Sequence, residues 1–93
     1  MKKYLLIDVF ERDMGLPQVF DTMDAAVGAM VKVVAEVLRM EPEELMQKFR
    51  EAEGNIVGEY YEVHKTCAYA NISKGSLDVA IYELDTESWR CAV

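Results

Sequence analysis

The sequence predicts an α+β two-layer sandwich in the order β-α-α-β-β-β, a mostly antiparallel sheet with two helices on one face. Three observations predict it. Residues near the start alternate with period two, the middle carries two amphipathic stretches of helical period, and the last third alternates again between turn residues. Ninety-three residues allow one compact domain, 1–93, with a modest core and no room for a second. At 52% hydrophobic and 29% charged, the composition excludes low-complexity and fibrous classes and disfavours disorder.

The first strand spans Tyr4 to Phe10. Leu5, Ile7 and Val9 form one side of it; Tyr4, Leu6, Asp8 and Phe10 form the other. A polar stretch, Glu11 to Pro17, then turns the chain, and Gln18-Val19-Phe20 returns as a short edge strand. Asp21 or Thr22 caps the first helix, and Asp24 lies in its first turn, where the helix dipole favours an anion. Val27, Met30, Val31, Val34, Val37 and Leu38 recur at helical spacing, with Lys32, Glu36 and Arg39 mostly opposite.

Pro42 ends that helix and opens the next, followed by Glu43 and Glu44 at the positive dipole end. Leu45, Met46, Phe49 and Ala52 give this second helix, roughly 42–53, a narrow apolar stripe, and Gly54 closes it. The last third reads as a three-stranded meander with two-residue turns at His64-Lys65 and Lys74-Gly75. In that register Val57, Tyr61, Val63, Ala68, Ala70, Ile72, Leu77, Val79 and Ile81 share the face that receives the helices. The tail from Asp85 carries Trp89 and is expected to add a short strand or cross an open edge.

Seventeen acids against ten bases leave a net charge of −7. Direct nucleic-acid binding and anionic membrane surfaces are therefore disfavoured, because both rely on lysine and arginine. No apolar run approaches the roughly 20 residues of a membrane helix. The opening Met1 to Ile7 is too short an apolar run for a signal peptide, and Cys67 and Cys91 read as reduced thiols. The expected compartment is the cytoplasm.

Two helices cover one sheet face, so the other face is left to water. The register places Tyr60, Tyr69 and Tyr82 there, with Cys67, Ile56, Glu62, Asn71, Asp78 and Leu84. With Leu5, Ile7 and Val9 inward, Tyr4, Leu6 and Phe10 join them. Tyrosine brings a large contact area at low rotamer cost. The expected role is a non-catalytic protein-interaction module whose partner is a protein, most simply a second copy in a homodimer.

A second reading rests on charge. Glu41, Glu43, Glu44, Glu51, Glu53, Glu59 and Glu62 face two bases in the same stretch, Lys48 and Arg50. Carboxylates spread over a rigid surface can imitate phosphates and occupy the basic channel of a nucleic-acid-processing enzyme. Short phage inhibitors of bacterial defence systems are similar in size and charge. A third reading, a small cysteine-dependent enzyme, would use His64 near Cys67; no orienting group or oxyanion donor accompanies them. One histidine and two distant cysteines make no metal set, and no phosphate-binding loop is present, so no cofactor or metal is expected.

Overall fold

The computed structural model describes residues 2–85. Cys91 and Trp89, with the strand expected of the tail, lie outside the described residues. The elements in order are β1 (Lys2–Phe10), β2 (Asp13–Met14), β3 (Gln18–Phe20), α1 (Met23–Leu38), α2 (Pro42–Glu51), β4 (Ile56–Val57), β5 (Tyr61–Val63), β6 (Cys67–Ile72) and β7 (Gly75–Asp85). All strands join one antiparallel sheet in the order β2-β1-β7-β6-β5-β4, and β3 shares the free edge of β1 with β2. The α+β sandwich and its element order are those the sequence predicts.

The helices behave as their caps dictate. Thr22 accepts a hydrogen bond from the Ala25 amide at 3.1 Å and starts α1. α1 ends with Arg39 in the left-handed region, φ 59°, while the Met40 amide reaches back to Ala35 at 2.9 Å. Pro42 takes the first turn of α2, and Gly54, at φ 82°, donates to Phe49 beyond its end. Both closures satisfy carbonyls that a helix end leaves open. Gly28 sits in mid-α1, and an added Cβ would meet nothing within 4 Å. Gly28→Ala should therefore raise the unfolding free energy by about 0.5–1 kcal/mol in urea titration. A fall in stability would show that this stretch of helix surface is occupied.

The core lies between the helices and one sheet face. Met30, Val31, Val34, Leu45 and Phe49 meet Leu6, Val63, Ala68, Ala70, Leu77, Val79 and Ile81. Three expectations need correction. Both meander turns differ by two residues from the expected register: Val63 pairs with Ala68, leaving a four-residue connection, and Ile72 pairs with Gly75 around Ser73-Lys74. An even slip preserves which side chains face inward, so the inner residues predicted for β5, β6 and β7 keep their side.

The second correction concerns 56–63, which is not one strand. Gly58 donates to the Tyr61 carbonyl at 2.8 Å, and the chain folds back so that β4 and β5 are antiparallel neighbours. Ile56 is thereby buried opposite Val63, and Val57 is the exposed residue. The third concerns β1, whose phase is reversed. Leu6 is 1% exposed against Ile81, and Tyr4 and Phe10 pack onto the core, while Leu5, Ile7 and Val9 take the other side. From Tyr4 to Phe10 both alternating sets are apolar apart from Asp8, so pattern alone does not choose between them. The structure puts the bulkier Leu6, Tyr4 and Phe10 in the deeper space.

Candidate interaction face

The outer face of the sheet is built by cross-strand pairs, whose side chains share a side when their Cα atoms are opposite. Leu5 lies opposite Tyr82, Ile7 opposite Ala80, and Val9 opposite Asp78. On the far side of β7, Cys67 pairs with Ala80 and Tyr69 with Asp78. Glu62 then lies opposite Tyr69, with Val57 beyond it on β4. At the other edge, Val19 pairs with Leu5 and Met14 with Val9, extending the same surface.

Tyr69 and Tyr82 remain 44% and 52% exposed, and Met14, Val19 and Val57 are exposed too. The middle of the face is a shallow basin of about 360 Å³ among Ile7, Val9, Cys67, Tyr69, Asp78 and Tyr82. No described element covers it: the molecule measures 42 × 30 × 17 Å, and the thin dimension holds one sheet and one helical layer. Charge is scarce here. Among the described strand residues of this face, Glu62 and Asp78 are the acids, from a chain of seventeen, and the base Lys3 pairs with Asp21.

No protein-family model, curated protein or solved structure matches the chain.

Of the residues expected on this face, Tyr69 and Tyr82 are there. Tyr4 and Phe10 are not, because β1 has the opposite phase. Tyr60 is exposed but belongs to the β4–β5 turn; Glu62 keeps its expected outer side, and the two-residue slip sets it opposite Tyr69, where Tyr60 was expected. The replacements Leu5, Ile7 and Val9 were visible in the sequence as the other half of an alternating strand. Met14, Val19 and Val57 carried no local signal, since their orientation follows from pairing.

Glu62 is the polar anchor of the face. Its carboxylate takes a hydrogen bond from Tyr69 and approaches His64 Nε2 at 3.2 Å, while His64 Nδ1 lies 3.0 Å from Asn55 Oδ1. The Tyr69 hydroxyl, then the His64 contact, hold the Glu62 carboxyl below its ordinary value of 4.5. The same contact raises the Tyr69 phenol above 10.0. A depressed carboxyl stabilises the fold above its unfolded value, and that contribution disappears as pH falls through the folded value. The raised phenol contributes below pH 10.0 and loses its share as pH rises through its folded value. Glu62→Gln should thus be less stable than the parent at pH 7, with a deficit that shrinks as pH falls below 4.5, in urea titrations across that range. An equal deficit throughout would show that the contact does not depend on the carboxylate charge.

The seven glutamates of 41–62 do not gather on one surface. Glu41, Glu43 and Glu44 mark the start of α2, while Glu51 and Glu53 lie about 12 Å away at its end, with Lys48 and Arg50 between. Glu59 is in the β4–β5 turn and Glu62 on the outer face. Cys67 is a free, exposed thiol, and both ring nitrogens of His64 engage Asn55 and Glu62. Among the described residues, no group of three or more His, Cys, Asp or Glu is placed to hold a metal ion, and no helix is long and apolar enough to cross a membrane.

Proposed function

We propose that the chain is a non-catalytic protein-interaction module that forms a homodimer through the outer face of its sheet. One observation carries the reading: a broad, mostly apolar sheet face, whose described strands carry only Lys3, Glu62 and Asp78 as charged residues, with no described element over it. Apolar surface with tyrosine and few charges is the compositional mark of an interface. An exposed patch of this kind on a small domain marks a contact surface.

A second copy is the occupant that charge and shape favour. A basic partner would be drawn to the acids of α2 and the turns, away from this face. Two chains of −7 associate most easily through the surface where their acids are fewest. The strands, at about 4.8 Å between neighbours and about 3.3 Å per residue, give a footprint of roughly 600 Å², the order of the 800 Å² that each partner contributes to a standard interface. Two flat sheets can stack about 10 Å apart. Across a two-fold axis, the Tyr82 hydroxyl of one copy can then donate to Asp78 of the other. Sedimentation velocity from about 1 to 200 µM covers the range of a specific dimer. The mass should rise from 10.6 kDa to twice that value; a monomer throughout would overturn the reading.

A further inference from the structure

A second concavity, away from the outer face, lies where the end of α1 meets the β4–β5 and β6–β7 turns. It encloses about 580 Å³, within the 300–1,000 Å³ usual for small-molecule sites. Met40 and Ile72 contribute apolar surface, Tyr60 and Tyr61 supply rings, and Arg39 and Lys74 supply the charges. No carboxylate lines it, although acids outnumber bases seventeen to ten in the chain. Neither Arg39 nor Lys74 has an ion-pair partner among the described residues.

The backbone sets where these side chains start. Arg39 occupies the left-handed position that closes α1, where glycine is the usual residue and would bring no guanidinium. Lys74 is held in the tight Ser73-Lys74 turn between paired Ile72 and Gly75. Tyr60 is 61% exposed, and its carbonyl accepts from the Asn71 amide at 2.8 Å, tying its turn to β6. Three segments distant in sequence thus bring two cations and two phenol rings around one apolar hollow.

We propose that this groove binds a small amphipathic anion, a carboxylate or phosphate carried on an aromatic body. The ring system packs against Tyr60 and Tyr61 in offset or edge-to-face geometry. The head takes a forked pair of hydrogen bonds from Arg39 and a third from Lys74. A neutral apolar ligand would leave both cations unused, and an extended polyanion would be repelled by the surrounding charge of the chain.

Amide chemical-shift titration of the full chain tests this, with 2-naphthoate and 2-naphthyl phosphate as probes and 2-naphthol as the neutral ring. Either anion should saturate shifts at Arg39, Met40, Tyr60, Tyr61 and Lys74, and the tighter of the two names the head group. 2-Naphthol should bind about tenfold or more weakly, as should the anion to an Arg39→Gln/Lys74→Gln chain, since charge-assisted bonds are lost in both cases. Lys74→Gln alone, in an exposed turn, carries the test if the double variant does not fold. Equal binding of naphthol and naphthoate, undiminished binding by the variants, no saturation, or shifts confined to Ile7, Tyr69 and Tyr82 would overturn the proposal. The dimer is read out separately by sedimentation, so either idea can fail alone.

Discussion

A chain carrying Ile7→Lys and Tyr82→Lys should sediment as a folded monomer at concentrations where the parent is dimeric. Both side chains project from the uncovered face, one from β1 and one from β7. In the isolated chain each lysine keeps its ammonium in water, so the cost to folding is confined to about 1 kcal/mol of strand preference and local packing at each site. In a face-to-face dimer the same two changes place four ammonium groups in an apolar contact. Each loses several kcal/mol of hydration, and the single acid of the basin, Asp78, can pair with only one of the two lysines brought by each copy. The expected weakening exceeds a thousandfold. A dimer that persists with unchanged affinity would show that this face is not the contact. Circular dichroism and thermal melting confirm that the fold remains.

Leu45→Ala should be the most damaging single truncation on α2. Leu45 is 0% exposed, and with Phe49 it supplies the buried side chains of the helix. The remaining positions of α2 are mostly charged or polar, so no neighbour can slide in to fill the space. Truncations of this kind cost about 2–5 kcal/mol. A domain of this size holds only about 5–14 kcal/mol in total. Urea titration should show a midpoint lowered by a large fraction, and α2 amides should lose hydrogen-exchange protection first. A loss below about 1 kcal/mol would mean that α2 is not seated on α1 through this residue.

The helices and the inner sheet face were legible because their signals are local. Met30, Val31 and Val34 recur at helical spacing, and Pro42 stops one helix and starts another. Ala68, Ala70, Leu77, Val79 and Ile81 alternate cleanly, and a two-residue error at each hairpin leaves their side unchanged. What was not legible depends on pairing. In β1 both sides are greasy, so the inward choice waits for β7 and the depth of the core. Residues 56–63 look like one strand until Gly58 folds them into two. The outer face therefore kept its apolar character while exchanging Tyr4 and Phe10 for Leu5, Ile7 and Val9. The cationic groove was invisible beforehand, since Arg39, Tyr60 and Lys74 are neighbours only after three turns have been placed.

The nine-residue pairing of β1 with β7 also constrains how the protein is made. β1 leaves the ribosome early, yet its longest partner emerges only after both helices and the rest of the meander. Until then the helices have at most half a floor, and two unpaired edges, one on β1 and one on β6, stay open to neighbouring nascent chains. Loss of the last dozen described residues would therefore remove the keystone between two half-sheets rather than trim a border.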